Sequence, residues 1–203
     1  MLGPLLRDRV KKYLFFIGKA IGKTGINPNL FSLMALLIAM CAAYFIYVQD
    51  YVLALCFIAL SSFWDSIDGS VAKSQNRVTK FGNYLDAMLD KYVEVIIYFG
   101  FVVSGFAVES FLVIVGSLIL SYAKPRTAIV VPIDNHDWPA IGERVDRLLL
   151  LVIGMAASII YPAVEIMSYQ MSTISLVLYF IAAIVLIGGV QRILYAKKII
   201  EGR

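Results

Sequence analysis

The sequence predicts an all-α integral membrane protein, with six transmembrane helices and an N-terminal amphipathic interfacial helix. Three observations carry that prediction. The 203 residues are 61% hydrophobic with a mean hydropathy of +0.83, and only 16% are charged. Soluble domains are nearer about 45–50% apolar and about 25% charged. The apolar residues gather into six runs, each approaching the roughly 20 residues that a spanning helix needs. The 18 lysines and arginines gather on one side of those runs. Such a composition excludes a disordered chain, a disulfide scaffold and an ordinary soluble enzyme. Six spans also leave no room for a separate soluble domain of normal size.

Residues 1–23 mix Leu5, Leu6, Val10, Leu14 and Ile17 with Arg7, Arg9, Lys11 and Lys12. Apolar residues at three- and four-residue steps mark an amphipathic helix. Its basic charge suits an anionic membrane face. A signal peptide is not expected, because no continuous apolar core precedes a small-residue cleavage site. Gly25, Asn27 and Pro28 then break the helix. The expected bundle covers residues 28–193 of a single domain. Its first span runs over about Leu30–Val48, and the second starts at Tyr51 and stays apolar to Trp64. The third runs from Gly82 to Val103, with charges in its first half only. The fourth covers Phe111–Val131 and is interrupted late by Lys124, Pro125 and Arg126. The fifth covers Leu148–Val164 and the sixth Ser172–Val190. Cys41 and Cys56 lie in apolar runs and read as buried thiols, not a disulfide.

Basic residues set the orientation of such a bundle. All 18 fall before the first span, around the second–third and fourth–fifth loops, or after the sixth span. The opposite loops hold only Asp50, Glu109 and Glu165. Both termini are therefore expected in the cytoplasm of a multi-pass cell-membrane protein.

The second and third spans carry Asp65, Asp68, Asp86 and Asp90 where a lipid-facing helix would be apolar. Each aspartate at a helix centre costs about 3 kcal/mol on insertion scales, so these four must face water, one another or a cation. Asp65 and Asp68 are three apart and Asp86 and Asp90 four apart, so each pair shares one helical face. Two such helices joined by a short loop are antiparallel neighbours. Together they make a hard-oxygen site for Mg²⁺, Mn²⁺ or Ca²⁺. Gly69 and Gly82 allow close approach of a backbone or ligand. Ala72 leaves space one turn later, and Lys73, Arg77 and Lys80 lie near the cytoplasmic mouth. Phosphates suit metals on one side and lysine or arginine on the other. The residues thus imply a divalent-metal site at the cytoplasmic end of a helical bundle, poised for a phosphate-bearing substrate.

The run Asp65-Ser-Ile-Asp68-Gly69-Ser-Val-Ala72-Lys73, then Gly82, Asp86 and Asp90, resembles the signature of the CDP-alcohol phosphotransferases, D-x2-D-G-x2-A-R-x8-G-x3-D-x3-D. Seven of its eight fixed positions match, the departure being Lys73 in place of arginine. The resemblance implies an enzyme that transfers a phosphatidyl-type group from a CDP-linked lipid to an alcohol and releases CMP. It implies that Asp65, Asp68 and Asp86 bind two Mg²⁺ or Mn²⁺ ions, with Asp90 at the second. Asp90 is also the implied general base toward the acceptor hydroxyl. Gly69, Ala72, Lys73 and Gly82 would border the nucleotide, with Pro28, Asn29 and Ser32 closing over cytidine. The family is typically homodimeric, so a homodimer is expected, and no nucleic-acid partner is.

Ser121–Arg126 and Gly142–Arg147 resemble stretches of members that use phosphorylated polyols, among them the phosphatidylinositol phosphate synthases and their archaeal counterparts. The resemblance implies that Lys124, Arg144, Arg147 and Arg192 grip the acceptor phosphate. Inositol phosphate is the expected acceptor and glycerol 3-phosphate the alternative. The donor is CDP-archaeol, from the similarity of residues 138–150, or CDP-diacylglycerol. From another class, the intramembrane carboxylates also suit a cation-coupled transporter, but the nearly uncharged far halves of the spans offer it no polar path. Glu94 lies on the Asp90 face one turn deeper and is expected to pair with Lys91 or hydrogen-bond within the bundle. His136, between Asp134 and Asp137, reads as a solvated loop histidine.

Overall fold

The computed structural model describes residues 13, 16–132, 138, 140–166 and 169–202. Most of the expected amphipathic helix, His136 and the terminal Arg203 lie outside these residues. Residues 16–22 are helical, and Ile17 and Ile21 pack against buried Phe31, Ile67 and Val71.

Six long helices follow: α1 (Pro28–Tyr47), α2 (Tyr51–Ser74), α3 (Lys80–Val103), α4 (Ala107–Val130), α5 (Arg144–Ile160) and α6 (Thr173–Ile200). Local chemistry starts them where the chain changes character. Pro28 opens the first turn of α1, where a missing N–H costs nothing. Asp50 caps α2 by accepting from the Leu53 amide at 3.0 Å, and Thr79 caps α3 by accepting from the Gly82 amide at 2.9 Å.

Among the described residues, α1, α2, α4 and α6 are long and apolar enough to cross a membrane. Helix α3 carries Lys80, Asp86, Asp90, Lys91 and Glu94 along its first two-thirds, and α5 has only 17 residues, opening on Arg144, Asp146 and Arg147.

The fifth run ends sooner than its hydropathy suggests. Helix α5 stops at Ile160, and Pro162, which has no amide to donate, follows at once. Val164 belongs to a two-stranded antiparallel hairpin, β1 (Ala163–Ile166) and β2 (Tyr169–Ser172), paired Ala163 to Ser172. That hairpin is the one departure from an all-helical chain among the described residues, and it delivers the chain to α6.

Helix α1 packs on α2 and α3, α4 on α3 and α6, and α5 on α6 and α2. Small residues bring the backbones together. Ala35, Ala39, Ala42 and Ile46 form the buried stripe of α1. A Cβ on Gly100 of α3 would meet the Ala43 carbonyl oxygen at 2.8 Å, so α3 lies against the α1 backbone itself. Ser61 of α2 donates to the Ala35 carbonyl at 2.8 Å, a polar tie between two apolar helices. The outside is apolar too. Cys41 and Cys56 are free but exposed on outer faces, not buried. In a membrane protein an apolar run need not face the core, so hydropathy could not place these thiols inside.

Candidate metal and phosphate site

The starts of α1, α3 and α5 and the ends of α2, α4 and α6 share one end of the bundle, where the charged side chains converge. Asp65 and Asp68 project from the last turns of α2 and Asp86 from the second turn of α3. One carboxylate oxygen from each of the three lies within 4.8 Å of the others. Three hard anionic oxygens this close repel one another and form a donor set suited to Mg²⁺ or Mn²⁺. Asp68 is buried, and Ser32 of α1 donates to its Oδ2 at 2.5 Å. A third helix thus fixes the orientation of one ligand.

Asp90, one turn beyond Asp86 on α3, stands against Asp65 of this trio. Its Oδ1 lies 2.5 Å from Nη1 of Arg144, whose Nη2 donates to Asp65 Oδ2 at 3.2 Å. A single guanidinium at the start of α5 therefore bridges the trio and the fourth aspartate. Its rigid fork is what allows one residue to hold two carboxylates.

On the α1 side of the trio is a cleft. Pro28, Asn29, Ser32, Gly69, Ala72 and Gly82 line it together with Asp68 and Asp86. Nothing stands within 4 Å of the place a Gly69 Cβ would occupy, so the protein itself leaves that space empty. Lys73 is not on this cleft. It is exposed, one residue past Ala72 and so about 100° around the helix from it. Arg77 lines the cleft instead, with Val78, Thr79 and Asn83. Its Nη1 donates to the Gly25 carbonyl at 3.3 Å, and Gln75 donates to the carbonyls of Gly22 and Ile26. The segment before α1 and the α2–α3 turn are thereby tied together. Arg77 was visible in the sequence only as one of several charges near the mouth, because a turn residue has no helical face to read.

On the α5 side lies a cavity of about 250 Å³, the share of roughly eight waters. Lys91, Arg144, Arg147 and Arg192 line it with Ser121 and Glu143. The expected Arg144, Arg147 and Arg192 are thus brought together from two helices, and Lys91 joins them from a third. Lys124 is half-buried on α4, one turn beyond Ser121, and does not line the cavity. Pro125 cannot donate to the Ser121 carbonyl, so the α4 backbone is opened beside this space. Arg192 reaches the same stretch, donating to the Leu120 carbonyl at 2.9 Å and to Glu143 at 3.0 Å. Arg147 is 2% exposed and directed inward, with Nε on Glu94 and Nη1 on the Gly142 carbonyl, each at 2.5 Å.

A cleft and a cationic cavity on opposite sides of an aspartate trio can hold two phosphate-bearing molecules with their reacting groups between them. The comparisons agree with that arrangement. The family model for CDP-alcohol phosphatidyltransferases matches residues 26–191. The chain is 30% identical over 200 residues to archaetidylinositol phosphate synthase from Pyrococcus horikoshii, covering 97% of both chains. Its fold is similar to that of phosphatidylinositol phosphate synthase from Mycobacterium tuberculosis. The CDP-DAG-bound crystal structure gives a TM-score of 0.75 at 18% identity, covering 91% of this chain and 94% of that one. The form in complex with manganese and citrate gives 0.75 at 19% identity, covering 91% and 88%. Family membership sets the transporter alternative aside. The chain belongs to the CDP-alcohol phosphatidyltransferase family and is a membrane transferase of phospholipid biosynthesis.

Proposed function

We propose that this enzyme transfers a phosphatidyl-type group, in archaetidyl form, from a CDP-linked lipid to a hydroxyl of inositol phosphate and releases CMP. The observation that carries the acceptor assignment is the cavity lined by Lys91, Arg144, Arg147 and Arg192. Four cationic side chains around one small space suit a dianionic phosphate, a group that serine and free inositol lack. The likeness to an archaetidylinositol phosphate synthase and a phosphatidylinositol phosphate synthase supports the same acceptor.

The donor lies in the cleft between α1, α2 and α3, with its cytidine near Pro28, Asn29 and Ser32. Gly69, Ala72 and Gly82 leave room for its diphosphate, and Asp65, Asp68 and Asp86 would hold Mg²⁺ or Mn²⁺ there. Two such ions, when bound, neutralise the diphosphate and the departing phosphate of CMP. Arg144 orients Asp90 toward the acceptor side. Asp90 accepts the proton of the acceptor hydroxyl as its oxygen bonds to the lipid-bearing phosphorus. The bond from that phosphorus to the CMP oxygen breaks, and the bonding pair leaves with CMP. Lys124 adds positive charge one turn from the cavity.

All six helices cross the membrane in this reading. Helix α3 keeps its charges at one end, and α5 at about 25 Å is short enough to need local thinning or the hairpin to complete its crossing. The termini and site face the cytoplasm, and the enzyme works as a homodimer.

The test is CMP release with Mg²⁺ from CDP-archaeol and from CDP-diacylglycerol. Inositol phosphate, glycerol 3-phosphate, inositol and serine are offered in parallel. Inositol phosphate should give the highest kcat/KM, and archaeol the better donor. Preference for an unphosphorylated acceptor would remove the role assigned to the cavity.

A further inference from the structure

Glu94 lies one turn beyond Asp90 on α3, away from the reacting atoms, and the mechanism above leaves it without a task. We propose that Glu94 is a positioning residue for the acceptor: acting through Arg147, it fixes the wall and the cations that receive the acceptor's phosphate. This rests on the acceptor reading of the cavity.

The two side chains form a buried pair, 10% exposed for Glu94 and 2% for Arg147. Glu94 Oε1 accepts from Arg147 Nε at 2.5 Å, while Oε2 lies 3.8 Å from Lys91 Nζ. One carboxylate therefore orients two of the cations that line the cavity. Arg147 carries the restraint further, because its Nη1 holds the Gly142 carbonyl. Gly142 has φ +77°, in the left-handed region, and a Cβ there would meet Ile184 Cγ2 at 2.8 Å. That turn is thus pinned between Arg147 and α6. The next residue, Glu143, accepts from Arg192 Nη2 at 3.0 Å. A continuous set of restraints runs from α3 through α5 and the turn to α6, and each step sets a group on the cavity wall.

Two donors remain over. Among the described residues, Arg147 Nη2 and Arg192 Nε are buried with no hydrogen-bond partner. Buried donors are rarely left unpaired without a reason. Here they belong to two of the cavity's own residues, so the restraints leave both guanidinium groups short of a partner.

Charge and geometry predict opposite outcomes when Glu94 loses its charge. Glu94→Gln makes the cavity more positive, so on charge alone it should bind a phosphorylated acceptor more tightly. If position governs, the same change leaves Arg147 as a buried cation without its counter-charge. Arg147 would then turn toward Glu143, the partner of Arg192, and acceptor binding would weaken.

The full-length enzyme in nanodiscs, with Glu94→Gln and Glu94→Asp, decides between these. For each, kcat and KM are measured for inositol phosphate and for the CDP-lipid, together with direct CDP binding. Glu94→Gln should raise the acceptor KM by about tenfold or more. Its kcat, donor KM and CDP affinity should stay within about twofold of wild type, and Glu94→Asp should fall between the two. An acceptor KM that is unchanged or lowered overturns the proposal. Equal losses on the donor side also overturn it, since that is the mark of a general structural role. If Glu94→Gln does not fold, Glu94→Asp decides alone, and a wild-type acceptor KM in it overturns the proposal. A wild-type enzyme that turns over no phosphorylated polyol would instead overturn the acceptor reading beneath it.

Discussion

Ser32 holds Asp68 across a helix boundary, and removing its hydroxyl isolates that effect. Ser32→Ala leaves Oδ2 of Asp68 without its serine donor while the Gly69 amide still holds Oδ1, at a cost of about 1–3 kcal/mol. The larger consequence is for the ion that Asp68 would hold. Mn²⁺ affinity, followed by electron paramagnetic resonance, should fall by about tenfold, the usual scale for a lost ligand-orienting contact. Asp90→Asn separates binding from chemistry. Its amide cannot take the acceptor proton, so CMP release should vanish while CDP-lipid binding persists, and retained turnover would remove Asp90 as the base. At this scale the aspartates were legible in the sequence because carboxylates inside apolar runs have no bland explanation. The bridge between Asp90 and Asp65 was not legible. It depends on Arg144, which is 54 residues further along the chain and reaches Asp90 only through the packing of α5.

Elements carry the site because their backbones lie unusually close. The approach of α3 to α1 at Gly100, about 21 Å along α3 from Asp86, fixes how these two helices pack. Gly100→Val would push its side chain into the Ala43 backbone, where no rotamer change gives relief. The expected cost is about 1–3 kcal/mol of overpacking. Thermal unfolding in detergent should show a midpoint lowered by several degrees, and an unchanged midpoint would mean that the helices separate freely. Helix positions followed from the apolar runs. The β1–β2 hairpin did not, because Val164 and Ile166 look like the tail of a span until Pro162 is given its full weight as a stop. Arg77 was legible only as a charge near the mouth, for a related reason. Its place on the cleft comes from the turn between α2 and α3 and from its hold on Gly25, neither of which has a period.

At the scale of the whole molecule, one asymmetry orders everything else. The aspartate trio, the cleft, the cationic cavity and the charged starts of α3 and α5 all lie at one end of the bundle. The hairpin at the other end carries Glu165. The positive-inside bias predicts that the first end faces the cytoplasm, where a CDP-lipid would reach it from the bilayer and a phosphorylated polyol from water. Exposed thiols test this directly. Cys41 and Cys56 are first replaced by serine, which their exposed positions should tolerate. Single cysteines are then introduced by Asn76→Cys in the α2–α3 turn and Glu165→Cys in the hairpin, both exposed positions. A membrane-impermeant maleimide added to intact cells should label position 165 and leave position 76 unmodified until the membrane is opened. The reverse pattern would put the site on the outer face, away from both substrates, and labelling of both would mean that the bundle does not seal. The order of labelling therefore reads the orientation from the same charge distribution that places the chemistry.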